Sequence, residues 1–188
     1  TVFTEMGWVG ILASDKGLLG TTLPQHSAQE AYQQLGNKVN QAIWSPRLLA
    51  DLVARLKVYF SGHQAAFTDE LDLSAATPFQ RQVWETTRLI PYAETRSYLW
   101  VAKQIKKPGA ARAVGQALGS NPLPIIVPCH RVVASNGKLG GFSGGVEMKR
   151  RLLYLEANSW KTGCSSDKLR ILRFKKSSSY FLISPSSA

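Results

Sequence analysis

Ile125-Ile126-Val127-Pro128-Cys129-His130-Arg131-Val132, followed by Gly137-Lys138-Leu139-Gly140-Gly141-Phe142-Ser143-Gly144-Gly145, is the stretch on which the reading of this chain turns. Three β-branched residues running into Pro-Cys-His predict a short buried segment that brings a thiol to the edge of a pocket. A cysteine so placed is either inert packing or a nucleophile. The thiolate does the chemistry, and an adjacent imidazole or cationic surroundings lower a cysteine pKa from about 8.5 towards neutrality.

Working back towards the N-terminus, Asn121-Pro122-Leu123-Pro124 is a stiff connection whose asparagine can tie neighbouring loops through the backbone. Before it, Ser97 caps a helix from Tyr98 to Ile105, Lys107-Pro108-Gly109 turns the chain, and Ala110 to Leu118 forms a second helix closed by Gly119. Helix, short turn, helix in a basic region is a helix-turn-helix candidate. The second helix is rich in Ala and Gly with one arginine, Arg112, and it has few side chains that read base edges. That composition suits close approach to a minor groove, with Arg112 entering the base stack; alternatively the alanines pack a tight helix pair.

Further back, Thr77-Pro78-Phe79-Gln80 is a capping box that opens a helix to about Arg88, which Ile90-Pro91-Tyr92 ends. On the C-terminal side, Val146 to Glu156 reads as an amphipathic helix. Its Lys149-Arg150-Arg151 cluster is expected on a solvated face, and Glu156 stands where a carboxylate opposes the helix dipole. In the first part of the chain, residues 2–12 and 18–23 predict one hairpin about Ser14-Asp15-Lys16-Gly17. Ser27-Ala28-Gln29-Glu30 starts a helix, Ser45-Pro46 caps another through Leu48, Leu49, Leu52, Val53, Leu56 and Phe60, and Asp69–Ala76 reads as a linker or edge strand. This half is expected to be a small α/β unit with no catalytic constellation.

The 188 residues are 44% apolar, enough for one large or two small cores. No run of about 18 apolar residues and no secretory signal is visible, so neither a membrane span nor export is expected; the chain starts at Thr1, which leaves room for preceding residues. Cys129 and Cys164 are too few for a disulfide framework, which suits a reducing compartment, and His26, His63 and His130 are scattered, which argues against a zinc site. The net charge of +11 is uneven: residues 1–76 hold 5 Lys/Arg against 7 Asp/Glu, residues 77–156 hold 12 against 4, and residues 157–188 hold 6 against 1. An acidic partner therefore belongs to the second half, unless its basic face is merely solvated. The tail from Ala157 reads as a disordered basic extension in which Cys164 is a plain thiol.

Taken together, Thr77–Gln80, Ile90-Pro91-Tyr92, Thr95-Arg96-Ser97-Tyr98, Ala111–Gly115, Asn121-Pro122, Ile126–Val132, Gly140–Gly145 and Lys149–Leu153 resemble the O6-alkylguanine-DNA alkyltransferase family, over nearly all of residues 77–156. The resemblance implies an α/β N-terminal domain of ribonuclease-H-like topology (1–73), a linker (74–76), a mainly α domain with a helix-turn-helix (77–158) and a basic tail (159–188). It implies irreversible, single-turnover transfer of an alkyl group from guanine O6, and from O4-alkylthymine, to a cysteine. Cys129 matches the acceptor, His130 the imidazole that takes the thiol proton through water, Glu156 its orienting carboxylate, and Tyr98 the tyrosine that donates to the base. Asn121, Pro124, Val132, Gly140, Phe142, Ser143 and Gly144 match the substrate site, with the carbonyls of Cys129 and Val132 accepting from the exocyclic amine.

Arg112 matches the finger that replaces a flipped nucleotide, and Thr95, Ser97, Ala111, Ala113 and Gly115 the rest of the DNA contact. No cofactor and no metal are implied. The partner is double-stranded alkylated DNA, bound by a monomer with cooperativity left open, in the cytoplasm or, in a eukaryote, the nucleus. Two departures stand out: Phe142 where tyrosine is usual, and Ala93 where glycine is frequent. A cysteine hydrolase built on Cys129, His130 and Glu156 is one rival reading, and a DNA-binding damage sensor with a structural cysteine is another.

Overall fold

The β-rich start folds as two short antiparallel hairpins, where one was expected. In the computed structural model, which describes residues 1–45 and 47–158, β1 (Val2–Thr4) pairs with β2 (Gly7–Val9) and β3 (Ile11–Ser14) with β4 (Gly17–Thr21). The expected turn at 14–17 is the second of these. The first was hidden because Glu5-Met6 carries no turn chemistry. The basic tail, Cys164 and Pro46 lie outside the described residues.

Helix α1 (Ala28–Gln34) is capped by Ser27, whose side chain accepts from Glu30 N. Helix α2 (Ala50–Phe60) begins four residues later than the Ser45-Pro46 signal suggested, with no side-chain cap, and leaves Leu48 exposed. Its buried face is Leu52, Leu56, Tyr59 and Phe60, at helical spacing. The helix ends in a Schellman motif: His63 N donates to Val58 O and Gly62 N to Tyr59 O, with Gly62 at φ +85°. This fixes the last turn, and Tyr59 with it. The acidic stretch that follows lies along β4, Leu18 N donating to Glu70 O and Asp72 N to Leu18 O.

The second unit is helical. Helix α3 (Pro78–Arg88) has both bonds of the Thr77–Gln80 capping box; α4 (Tyr98–Gln104) is capped by Ser97. A 3-10 turn at Pro108–Ala110 leads into α5 (Ala111–Gly119), which runs through the glycine expected to close it. Val83, Trp84, Val101, Ala102, Val114, Ala117 and Leu118 form the buried seam among these helices, each large side chain stabilising the unit by about 1.5–3 kcal/mol. Helix α6 (Gly145–Asn158) closes the unit. A two-residue parallel ladder, β5 (Arg96–Ser97) on β6 (Val132–Val133), sets the start of α4 beside the Pro-Cys-His segment. Too short to show periodicity, it was invisible in the sequence.

The two units are fastened together. Thr21 N donates to Pro122 O at 2.9 Å and its hydroxyl to Pro124 O at 2.7 Å. Leu23 packs so closely on Gly144 that a Cβ there would sit 2.2 Å from Leu23 Cδ1.

Ala93 occupies the left-handed region at φ +61°, which explains why glycine is frequent at this point in the resemblance. An L-residue there is disfavoured by about 1–2 kcal/mol, of which glycine's unfolded-state entropy takes back about 0.5–1. Ala93→Gly is therefore expected to stabilise the protein by about 0.5–1 kcal/mol, read as a higher midpoint in thermal or urea unfolding. An unchanged or lower midpoint would contradict the strain.

Candidate active site

The segment before the cysteine is wound around Asn121. Its Oδ1 accepts from Leu123 N at 3.0 Å, while the two amide hydrogens of Nδ2 serve Val127 O at 3.0 Å and Cys129 Sγ at 3.2 Å. Ile125 is forced to φ +76°, an unfavourable conformation for a β-branched residue, so the surroundings over-determine this loop. Ile125, Ile126 and Val127 are buried, as expected, the first two in a turn and Val127 in an isolated bridge with Pro124. Cys129, His130 and Arg131 then form one 3-10 turn.

That turn sends its side chains to different places. Cys129, only 4% exposed, lines a cleft of about 640 Å³ together with Tyr98, Ala111, Arg112, Gly115, Phe142 and Ser143. His130 and Arg131 point inward to Glu156, near the end of α6 and 0% exposed. His130 Nε2 lies 2.7 Å from Glu156 Oε1; Arg131 Nε and Nη2 donate to the carboxylate at 3.0–3.2 Å. Ala93 N donates to Oε2 at 3.0 Å, and Tyr59 from α2 donates to Oε1 at 2.8 Å. The left-handed turn at Ala93 thus aims an N–H at a buried anion.

These contacts set the protonation states. Burial alone would raise the Glu156 carboxyl, but hydrogen bonds from His130 and Arg131 outweigh it and hold the pKa at about 2. Burial keeps His130 neutral despite that carboxylate. A neutral imidazole facing a carboxylate through Nε2 carries its proton there, which leaves Nδ1 as the basic nitrogen. Nδ1 is buried without a hydrogen-bond partner among the described residues.

Burial pushes the Cys129 thiol up, against the pull of the Asn121 amide and the Lys149 ammonium. The resting sulfur is therefore a thiol. Lys149 was expected on a solvated face. It is instead 0% exposed, donating to Val132 O at 2.6 Å, with its ammonium 5.7 Å from the Tyr98 ring and 5.9 Å from the Phe142 ring. Burial brings its pKa to about 8. Arg150 and Arg151 of the same cluster are exposed, as expected.

The chain matches the family model described as 6-O-methylguanine DNA methyltransferase, DNA binding domain, over residues 78–158. A methylated-DNA–protein-cysteine methyltransferase of Mycolicibacterium paratuberculosis is 53% identical over 112 residues, 60% of this chain and 67% of the relative. One from Shigella flexneri is 41% identical over 128 residues, 68% of this chain and 70% of the relative. The solved structure of Mycobacterium tuberculosis OGT in complex with DNA superposes with a TM-score of 0.67 at 37% identity, over 85% of this chain and 92% of that one.

This chain belongs to the methylated-DNA–protein-cysteine methyltransferase family. Cys129, His130, Glu156, Tyr98 and Arg112 lie inside the span matched by the family model, and Tyr59 and Thr21 lie outside it.

Of the residues named from the sequence, Cys129, Tyr98, Arg112, Ala111, Gly115, Phe142 and Ser143 meet at the one cleft. Gly140, at φ +70°, backs Tyr98 so closely that a Cβ would come 2.8 Å from its hydroxyl oxygen, which itself donates to Gly141 O at 3.3 Å. Val132 is buried with its carbonyl accepting from Lys149. Asn121, Pro124 and Gly144, with Ser143 again, line a second cleft of about 770 Å³ towards β4 and α1. Ser97 is committed to capping α4, its oxygen accepting from Trp100 N at 3.0 Å. Thr95 and Ala113 are half-buried and line neither cleft.

Two residues escaped the sequence reading. Tyr59 shows that the first unit, expected to carry no catalytic constellation, reaches the His130–Glu156 pair. A tyrosine on a buried helical stripe signals a hydroxyl in need of a partner, though not which one. Lys149 stands three and seven residues before Leu152 and Glu156, on the same buried face of α6. A cation in an apolar stripe was the available signal.

Glu156 ties the site to acid stability. Its folded pKa of about 2 lies below the ordinary 4.5, so its contribution is complete above pH 4.5 and is lost as pH falls towards 2. The stability difference between wild type and Glu156→Gln in urea is expected to shrink by about 3 kcal/mol from pH 5 to pH 2. A difference that stays constant would mean that the carboxyl is not ionised in the fold.

Proposed function

We propose that this protein repairs alkylated DNA by moving an alkyl group, methyl above all, from guanine O6 to Cys129, once per molecule. One observation carries the assignment of the site: the sulfur lines the same cleft as Arg112 and Tyr98, while the next residue, His130, forms a buried imidazole–carboxylate pair with Glu156.

In the proposed step His130 Nδ1 takes the thiol proton through a water molecule, Glu156 stabilises the imidazolium, and Asn121 and Lys149 stabilise the thiolate. Sulfur attacks the alkyl carbon in line with the C–O6 bond. A new S–C bond forms as the old bond breaks, and its electron pair goes to the purine. The Tyr98 hydroxyl swings its hydrogen from the long bond to Gly141 O onto the base as this charge develops, and the proton that left sulfur ends on guanine. The products are an S-alkylcysteine and an unmodified guanine. A thioether carbon is not returned to any group at the site, so no second turnover follows.

Such a cleft admits a purine only outside the base stack, so the nucleotide is flipped and Arg112 takes its place. Small residues on α5 support entry to the minor groove. We read α4, the Pro108–Ala110 turn and α5 as a helix-turn-helix, residues 1–73 as a ribonuclease-H-like unit, 74–76 as a linker and 77–158 as the DNA-binding and transfer unit. The protein acts as a monomer on duplex DNA, with O4-alkylthymine a second substrate, in a compartment reducing enough to keep Cys129 a thiol. No helix among the described residues is long and apolar enough to cross a membrane.

Intact mass spectrometry after mixing with an O6-methylguanine duplex is expected to show one added CH2 per protein, mapped to Cys129, with Cys129→Ala retaining DNA binding and losing transfer. Product released over many turnovers without a modified cysteine would instead favour a hydrolase. Arg112→Ala is expected to slow repair of duplex DNA by at least tenfold while leaving reaction with free O6-benzylguanine within about twofold. Equal losses on the two substrates would remove Arg112 from the flipping step.

A further inference from the structure

We infer that the first unit is a working part of the active site, and that Tyr59 is the positioning residue through which it acts on the His130–Glu156 pair. The inference rests on Cys129 being the alkyl acceptor and adds a residue from outside the matched span of 78–158.

Tyr59 is 0% exposed. Its hydroxyl stands 2.8 Å from Glu156 Oε1, to which it donates, and 3.3 Å from His130 Nε2. The ring cannot turn away. Edge contacts with Phe60, Phe67 and Tyr92, at centroid distances of 5.1, 5.9 and 6.1 Å, hold the phenol, and the Schellman motif holds the backbone beneath it. Glu156 Oε1 is thus shared between Tyr59, His130 and Arg131.

Sharing of that oxygen has a chemical consequence. A phenol donating to Oε1 draws charge from the oxygen that faces the imidazole, and so limits how strongly the carboxylate raises the basicity of His130. It also fixes Oε1 where Nε2–H must meet it, which leaves Nδ1 free for the thiol proton. The same unit braces the other side of the sulfur, since the Thr21 hydroxyl holds Pro124 O in the loop that Asn121 organises. The first unit therefore steadies both the base and the sulfur's amide donor.

The test compares Tyr59→Phe with Leu56→Ala, a purely apolar truncation on the same buried face of α2. Two rates are measured against pH: single-turnover methyl transfer from an O6-methylguanine duplex, and iodoacetamide alkylation of Cys129. Tyr59→Phe is expected to lower transfer about tenfold and to move the acid limb of both profiles upward by about half a pH unit or more. Leu56→Ala is expected to lose stability while keeping the wild-type limbs. An unmoved acid limb in Tyr59→Phe, whatever its rate, overturns the inference. If wild type takes no methyl group, the functional reading falls, and the iodoacetamide arm still decides the role of Tyr59. As a check that needs no variant, 15N spectra of wild-type His130 are expected to show the Nε2–H tautomer at neutral pH; the Nδ1–H tautomer overturns the inference.

Discussion

A carboxylate kept ionised inside a protein is the constraint around which this molecule is built. An unpaired buried anion would cost several kcal/mol, so Glu156 exists in that state only because donors converge on it from several parts of the chain. Arg131 and His130 come from the cysteine turn, Ala93 from a strained bend before α4, and Tyr59 from the first unit. Each supporting element is thereby placed: the bend at Ala93 is left-handed, α2 ends where it does, and Arg131 spans to Ile90 O at 2.8 Å. The carboxylate organises the fold and fixes the His130 imidazole with the same set of contacts.

The sulfur faces the opposite problem. It must reach a cleft, yet its near-burial favours the thiol over the reactive thiolate. The structure answers with a resting thiol beside groups that favour charge when it forms, the Asn121 amide and the Lys149 ammonium. Lys149 is itself desolvated between two aromatic faces, so it responds strongly to a nearby negative charge and weakly to solvent. A thiol protonated at rest is protected from stray electrophiles.

The loop carrying Asn121 shows how position is enforced on such a group. Left-handed geometry at Ile125 is intrinsically unfavourable, and it persists because three bonds from one asparagine side chain and two from Thr21 leave the loop no alternative. Gly140 does the corresponding work on the far wall, where any Cβ would displace Tyr98.

Much of this was legible in the residues alone. The caps at Ser27, Thr77 and Ser97, the helices they open and the burial of the segment running into Pro-Cys-His follow from local chemistry that sequence order preserves, whereas the roles proposed for Cys129, His130, Glu156 and Arg112 came from the resemblance to a family. The start of α2, the first hairpin and the two-residue ladder beside Val132 did not show, because short elements are held by pairing with distant segments and leave no period of their own. Lys149 and Tyr59 were hidden for a related reason. Spacing places both on the apolar stripes of their helices, although for Lys149 residue type argued for solvent, and which group each one meets is settled by packing. The sequence by itself determined the helices around the sulfur and the caps that start them. Only the tertiary structure decided that a tyrosine ninety-seven residues away in the chain would share the carboxylate behind it, because a buried ion selects its partners in space and not along the chain.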